Sequence, residues 1–274
     1  MSHGTELTHV DLFSGIAGFS LASNWAGFRT VAFCERDNWC QQVIRRHWPT
    51  TPVHGDVRDF PGHLYRGATL LTGGFPCQPF SQCGKRRGKD DDRYLWPAML
   101  DAIQSVRPSW IVAENVVGVV KMALPTVLAD LEREGFRATV FLLPAHGVGA
   151  PHRRRRAWVV AESLNPDHDG LRPHREEVHE DGQGGKTEPR HEQVRLAGQM
   201  VPASLWESID PGILGMADGI SEVVDEDDRK HRIKGLGNAI VPQLAYEILK
   251  GIADIELGKV VDSNILVADS CGLR

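Results

Sequence analysis

The stretch Ala68-Thr-Leu-Leu-Thr-Gly-Gly-Phe-Pro-Cys-Gln-Pro-Phe-Ser81 places Cys77 shortly after an apolar run that is typical of a buried strand. Two glycines and a proline end this run, so Cys77 is expected at the carboxyl end of the strand. Open α/β sheets bind their ligands at that edge. Pro76 and Pro79 restrict the backbone on both sides of Cys77, which favours an oriented nucleophile over an ordinary buried thiol.

Apolar runs alternate with helix-length amphipathic segments along the chain, which indicates a mainly parallel sheet covered on both faces. Strands are predicted near residues 10–13, 30–34, 68–72, 109–113, 139–143 and 157–161. Helices are predicted near 19–25, 37–47, 95–105, 125–134 and 242–252, with Asp37 as an N-cap, Pro125 as a first residue, Gly135 as a stop and a turn at 235–238. The last two strands are joined by a loop too short for a crossover helix, which predicts a terminal antiparallel hairpin.

Composition narrows the class of protein. The five cysteines are an odd number without paired spacing, and no signal peptide is recognised, so a reduced, cytoplasmic protein is expected. Apolar runs fall short of the roughly 20 residues that span a bilayer, which argues against a membrane protein. With a net charge of -5, a nucleic-acid partner would need locally concentrated positive charge.

Polar residues follow the first strands of the predicted sheet. The turn Phe13-Ser-Gly-Ile-Ala-Gly18 can present backbone N–H groups to an anion, although its spacing differs from the three-glycine dinucleotide pattern. Glu35 can accept hydrogen bonds from ribose hydroxyls, and Asp56 from an adenine amino group. Each acid alone is equally consistent with a solvated carboxylate or a turn cap.

Two further features suggest chemistry at the same edge. Glu114 follows the apolar run 110–113, and burial there raises a carboxyl pKa and favours the protonated acid, unless Glu114 is a structural acid satisfied by its neighbours. The run Arg153-Arg-Arg-Arg156 is either a solvated charge patch or a group that lowers a thiol pKa and binds phosphate or a base carbonyl.

In this order, the motifs resemble those of the DNA cytosine-5 methyltransferases, over most of the chain outside a variable stretch. The matching segments are Asp11-Leu-Phe-Ser-Gly-Ile-Ala-Gly18, Glu35, Gly55-Asp56, Pro76-Cys77-Gln78, Arg93-Tyr-Leu-Trp96, Glu114-Asn-Val116, His152-Arg-Arg-Arg-Arg156, Gly237-Asn-Ala239 and Val241-Pro242. His152 stands where the family usually has Gln, which leaves Arg154 and Arg156 as the matching arginines. Ala17 stands where glycine is common, and we expect it to be tolerated.

The resemblance implies a class I S-adenosylmethionine-dependent methyltransferase fold. This fold is α/β and Rossmann-like, with a mainly parallel sheet, an antiparallel terminal hairpin and a small variable target-recognition region. The implied division is 1–162 for catalysis and cofactor binding, 163–234 for target recognition, 235–252 for a final motif and helix, and 253–274 for a tail. Residues 162–199 are rich in charge, glycine, proline and histidine and poor in bulky apolar residues, so they cannot build a core alone.

The chemistry implied by the resemblance begins with Cys77 adding to carbon 6 of a flipped-out cytosine while Glu114 protonates ring nitrogen 3. Carbon 5 then takes the methyl group of S-adenosylmethionine, and proton loss expels Cys77. Arg156 is expected to orient the base, Arg154 to lie near the nucleophile, and Asn115 to position Glu114 or its loop.

The resemblance also implies binding residues and a mobile loop at about Gln78 to Tyr94. Expected cofactor contacts are Phe13, Ser14, Gly15, Ile16, Ala17, Gly18, Glu35, Arg36, Asp56, Val57, Gly74, Pro76, Leu95, Asn238 and Ala239. Expected DNA contacts are Gln78, Ser81, Lys85, Arg86, Arg87 and Arg153. No metal is expected.

The implied protein is bacterial or phage-encoded, cytoplasmic and nucleoid-associated, and acts as a monomer on double-stranded DNA. A cognate restriction endonuclease or a second chain are further partners that the sequence leaves open. Alternatives are a tRNA cytosine-5 methyltransferase, favoured by the short variable stretch but lacking that group's Cys-Phe-Thr, and an inactive DNA-binding homologue. A zinc deaminase would need Pro-Cys-x-x-Cys, but Phe80 occupies the second cysteine position.

Overall fold

A computed structural model describes residues 6–76, 94–148, 154–164 and 226–259. Within these ranges the chain forms a seven-stranded sheet in the order β3-β2-β1-β4-β5-β7-β6. The strands are β1 Thr8–Leu12, β2 Arg29–Cys34, β3 Val53–His54, β4 Leu70–Gly73, β5 Trp110–Val116, β6 Phe136–Pro144 and β7 Arg155–Ser163. No helix in the described part of the chain is long and apolar enough to cross a bilayer.

Strands β1 to β5 pair in parallel, whereas β7 runs antiparallel to both β5 and β6. The predicted hairpin is therefore confirmed, and so is the mainly parallel α/β fold. Chain direction through the sheet reverses at β1, which lies between β2 and β4. This strand is the topological switch point, beside which such folds place their ligands.

Helices cover both faces of the sheet. They are α1 Gly18–Trp25, α2 Asn38–His47, α3 Trp96–Val106, α4 Val119–Met122, α5 Leu124–Arg133, α6 Glu226–Asn238 and α7 Pro242–Glu256. One core cluster packs α3 and α5 on the sheet around Met99, Ile103 and Leu131. The opposite cluster packs α1 and α7 on it around Phe19 and Leu249.

Local chemistry explains where several helices begin and end. Asp37 caps α2, since its side chain accepts hydrogen bonds from the N–H groups of Trp39 and Cys40, as predicted. Gly135 follows α5 with a φ of 84°, which confirms the predicted stop. Pro125 lies at the second position of α5, because the helix already begins at Leu124.

Two local predictions are wrong. Strand β5 continues through Glu114 and Asn115 to Val116, because β7 supplies a hydrogen-bonding partner along that whole length. The predicted turn at 235–238 is instead the last turn of α6. That turn packs closely, since a Cβ on Gly235 would lie 3.0 Å from Trp39 Cζ3 and 3.1 Å from Ile16 Cγ2.

Candidate active site

A cavity of about 630 Å³ lies at the carboxyl ends of the parallel strands, beside the switch point. Thirteen of the fifteen expected cofactor residues line it: Phe13, Ser14, Gly15, Gly18, Glu35, Arg36, Asp56, Val57, Gly74, Pro76, Leu95, Asn238 and Ala239. Glu114 and Asn115 also line it. Ile16 and Ala17 are buried without lining it, and Ala17 packs with Phe33 and Ile44.

The turn after β1 is built from residues with left-handed backbone conformations. Phe13, Gly15 and Ala17 have φ values of 52°, 54° and 67°. Ala17 pays a steric penalty that glycine would avoid, of about 1–2 kcal/mol. Gly18 then starts α1 in close contact with Ile240, because a Cβ there would lie 2.9 Å from Ile240 Cγ1.

Glu35 connects this glycine turn to the start of α2. One carboxylate oxygen accepts a hydrogen bond from the N–H of Gly15 at 2.7 Å, and the other accepts from the N–H of Asp37 at 2.7 Å. Burial raises the pKa of Glu35, against the lowering effect of these N–H groups. Glu35 thus shapes the cavity wall as well as offering a carboxylate to a ligand.

Asp56 combines the two roles that its sequence position allowed. Its side chain accepts a hydrogen bond from the N–H of Arg58 at 3.0 Å and so caps the short 3-10 turn Val57–Asp59. It also lines the cavity. The turn cap therefore fixes the direction of a carboxylate that faces the ligand space.

Helix α6 supplies a wall of the cavity that sequence reasoning missed. Lys234 pairs with Asp37 at 2.8 Å, and the His231 ring stacks on Trp39 with centroids 6.1 Å apart and planes inclined by 17°. All four residues line the cavity. The sequence of α6 is charged and has no apolar repeat, so it did not indicate a helix. Of these four residues, only Asp37 was singled out from the sequence, as the N-cap of α2.

Glu114 lines the cavity and is buried, with 8% of its surface exposed. A Cβ on Gly74 would lie 3.8 Å from its Oε2, which places the carboxyl group beside the segment that leads to Cys77. Arg156 Nε is 3.0 Å from Oε1 but is poorly aligned for a hydrogen bond. Burial raises the pKa of Glu114, although the charges of Arg156 and Arg154 oppose the shift.

Asn115 holds the end of β4 rather than the carboxyl group of Glu114. Its Nδ2 donates a hydrogen bond to the carbonyl of Phe75 at 2.9 Å, and its Oδ1 accepts one from the N–H of Val116 at 2.9 Å. The contact with Phe75 differs from the expected positioning of Glu114 or its loop, because it holds the segment that precedes Cys77.

The predicted nucleophile and DNA contacts lie outside the described residues. These are Cys77, Gln78, Ser81, Lys85, Arg86, Arg87 and Arg153. Two other cysteines, Cys34 and Cys40, line the cavity, but burial and the charge of Glu35 raise the pKa of both thiols to about 12. Such thiols stay protonated at neutral pH and are poor nucleophiles.

A buried polar network lies between the sheet and α1. Asp11 accepts hydrogen bonds from Ser20 Oγ at 2.6 Å and Thr72 Oγ1 at 3.2 Å, and Thr72 Oγ1 also contacts His9 Nε2 at 2.8 Å. Burial raises the pKa of Asp11 to about 7 and lowers that of His9 to about 3. The network ties together β1, β4 and α1, the elements around the glycine turn.

Comparison of the sequence with known families identifies the family of this chain. Residues 7–196 match the family of C-5 cytosine-specific DNA methylases. The chain belongs to this family. The match contains the glycine turn, Glu35, Cys77, Glu114 and the arginine run.

Two Type II methyltransferases each match 57% of this chain. It is 39% identical over 161 residues to the Type II methyltransferase M.NgoMIV of Neisseria gonorrhoeae, covering 57% of this chain and 52% of that protein. It is 32% identical over 160 residues to the Type II methyltransferase M.AplI of Arthrospira platensis, covering 57% and 46%. The chain thus spans about half the length of these curated relatives.

Among solved structures, the Entamoeba histolytica methyltransferase EhMeth superposes with a TM-score of 0.61 at 14% identity. The alignment covers 92% of this chain and 99% of that chain. At this identity the likeness concerns the fold alone, and it agrees with the Rossmann-like arrangement of the described strands and helices.

Proposed function

We propose that this protein transfers a methyl group from S-adenosylmethionine to carbon 5 of cytosine in double-stranded DNA. The observation that carries the proposal is the position of Glu114, a buried acid paired with Arg156 and adjacent to the chain segment that enters Cys77. The same cavity is lined by the glycine turn and by Glu35. An acid that is paired with an arginine thus lines a nucleoside-sized cavity.

The cavity fits S-adenosylmethionine by its size and its donor set. Ligand pockets of about 300–1,000 Å³ accept molecules of this size, and this cavity measures about 630 Å³. Glu35 and Asp56 offer carboxylates to hydroxyl and amino groups, and Gly18 begins α1 at the cavity wall. When bound, S-adenosylmethionine supplies an electrophilic methyl group.

Carbon 5 of cytosine is a poor nucleophile until a group adds to carbon 6. In the proposed reaction the Cys77 thiolate forms a bond to carbon 6, while Glu114 donates its proton to ring nitrogen 3. Carbon 5 of the resulting enamine takes the methyl group. Loss of the carbon 5 proton to a base then breaks the bond to the Cys77 sulfur, and ring nitrogen 3 returns its proton to Glu114, which restores the ring and both residues.

The described geometry supports the acid role of Glu114. Its raised pKa favours the protonated form that can donate, and Arg156 beside it can stabilise the carboxylate left after donation. Asn115, the next residue on β5, donates a hydrogen bond to the carbonyl of Phe75, two residues before Cys77.

The names of the relatives support a proposal for the biological setting. Both named relatives are Type II methyltransferases, which supports a role in a restriction-modification system with a cognate endonuclease as partner. We further propose a cytoplasmic, nucleoid-associated protein that acts as a monomer on DNA from which the cytosine is flipped out, at a cost of a few kcal/mol. The division into a catalytic part, a recognition region at 163–234 and a final helix stays a prediction.

Covalent trapping tests the proposal directly. Duplex DNA from a sequence library containing 5-fluorocytosine is incubated with the protein and S-adenosylmethionine, since fluorine at carbon 5 prevents release of the cysteine. We expect a denaturation-resistant complex with the wild type and none with Cys77→Ser, which should still bind the cofactor. If labelled methyl groups go to tRNA and not to duplex DNA, or if neither is modified, the DNA assignment is wrong.

A further inference from the structure

Arg154 joins two parts of the molecule that are far apart in sequence. Its Nη1 donates a hydrogen bond to the carbonyl of Gly237 at 3.0 Å, across 83 residues of chain. Its own carbonyl accepts a hydrogen bond from the N–H of Ala145 at 3.0 Å, which fixes its backbone at the loop end of the β6–β7 hairpin. The guanidinium therefore reaches from the sheet to the last turn of α6.

The segment that Arg154 contacts forms part of the cofactor cavity. Gly237 begins the α6–α7 junction, which we define as residues 237–241, and Asn238, Ala239 and Ile240 line the cavity. Ile240 presses on Gly18, where a Cβ would lie 2.9 Å from Ile240 Cγ1. The position of the α6–α7 junction therefore sets the space left beside the glycine turn.

Arg154 also interacts electrostatically with Glu114. Its charge lowers the pKa of Glu114, in the same direction as the charge of Arg156. The side chain is half-buried, and its Nε makes no hydrogen bond to any described residue. Among the described residues, the carbonyl of Gly237 is the hydrogen-bond acceptor that holds this guanidinium.

We propose that Arg154 is a positioning residue that holds the α6–α7 junction against the sheet and thereby shapes the cofactor cavity. This inference rests on the proposed function and gives Arg154 a role beyond the catalytic one that the family resemblance assigns. An arginine that acted only on the target base would leave cofactor binding unchanged when no DNA is present. An arginine that holds the α6–α7 junction must affect that binding.

The experiment measures binding of S-adenosylmethionine to the full chain by calorimetry without DNA. Arg154→Met is expected to weaken binding by about tenfold, because a charge-assisted hydrogen bond to the cavity wall is lost. Arg154→Lys should weaken cofactor binding similarly. The lysine keeps a positive charge near Glu114, but its ammonium lacks the planar guanidinium that reaches the carbonyl of Gly237.

Two neighbouring arginines serve as matched controls. Arg155 is exposed on β7, so Arg155→Met should bind the cofactor within about twofold of the wild type. Arg156 pairs with Glu114, so Arg156→Met should lose methyl transfer yet bind the cofactor within a similar limit. The expected pattern is weakened cofactor binding in Arg154→Met and normal binding with lost methyl transfer in Arg156→Met. A general disturbance of the fold would impair both properties in both variants.

The outcomes separate the inference from the proposed function. If both Arg154 variants fold, as judged by circular dichroism and thermal unfolding, and bind like the wild type, the positioning role is wrong and the proposed function stands. If the wild type itself fails to bind S-adenosylmethionine, both are wrong. If Arg154→Met does not fold, Arg154→Lys decides by the same criterion.

Discussion

The side-chain amide of Asn115 donates a hydrogen bond to the carbonyl of Phe75 at 2.9 Å, which fastens β5 to the end of β4 two residues before Cys77. Both partners are buried, so the bond is shielded from water. A broken bond would leave the Phe75 carbonyl unsatisfied, at about 1–3 kcal/mol. The same bond fixes the position of the Phe75 carbonyl, from which the chain continues to Cys77.

Asn115→Ala should therefore lower kcat by about 10- to 100-fold, because the nucleophile is less well placed. Affinity for S-adenosylmethionine should fall less than kcat, because most of the cavity wall lies on other elements, although Asn115 and Phe75 both line the cavity. Methyl-transfer kinetics and calorimetry measure the two effects, with Asn24→Ala on the exposed side of α1 as the control. An unchanged kcat would show that this hydrogen bond does not position the nucleophile.

Glu114→Gln should reduce methyl transfer by about 10²- to 10⁴-fold, because the amide cannot donate an acidic proton to ring nitrogen 3. In the proposed reaction, protonated Glu114 is the active form, and burial raises its pKa. The rate is therefore expected to fall as pH rises through a pKa above the ordinary value. A pH–rate profile with no descending limb attributable to an acid, or a fully active glutamine variant, would contradict the role.

Ala17→Gly should stabilise the protein by about 0.5–1 kcal/mol, because Ala17 has a φ of 67° that glycine adopts without steric cost. Ala22→Gly in the middle of α1 is the matched control, and it should destabilise by about 1 kcal/mol or more. Urea unfolding measures both changes. Equal destabilisation by the two substitutions would show that the strain at Ala17 is negligible.

The buried pair Asp11 and His9 should make opposite contributions to the pH dependence of stability. The folded pKa of Asp11, about 7, exceeds its ordinary 3.8, so its contribution is fully present below that value and is lost as pH rises towards 7. The folded pKa of His9, about 3, is below its ordinary 6.5, so the unfolded chain binds the proton first and stability is lost as pH falls below 6.5.

Asp11→Asn should consequently make the unfolding free energy rise more steeply with pH between about 5 and 7 than in the wild type. His9→Gln should make the unfolding free energy rise less steeply with pH than in the wild type below about pH 6.5. Urea unfolding at several pH values measures the difference between each variant and the wild type, in which other titrating groups cancel. Parallel curves for all three proteins would rule out titration of this pair.

Patterns local in sequence predicted most of the sheet. The strand before Cys77, the cap at Asp37, the stop at Gly135 and the β6–β7 hairpin depend on neighbouring residues, and the structure confirms each element within a few residues. Most of the expected cofactor residues also meet at one cavity, because parallel strands place their carboxyl ends at one edge.

Features that depend on distant partners escaped prediction. Helix α6 lacks an amphipathic pattern and is held by contacts such as Lys234 with Asp37, 197 residues away. The length of β5 depends on its pairing with β7. The network around His9 and Asp11 could not be recognised, since polar residues in an apolar strand carry no sign of their partners on other elements.

The antiparallel pairing of β5 and β7 has a consequence for how this enzyme family can vary. Glu114 lies opposite Trp158 and Val116 opposite Arg156, so the acid and the guanidinium are diagonal neighbours on one side of the sheet. Inserting or deleting one residue between Arg156 and Trp158 would move the guanidinium to the other side. We therefore expect changes in length to be tolerated in the connecting loop. Within β7, adding or removing a single residue would separate Arg156 from Glu114.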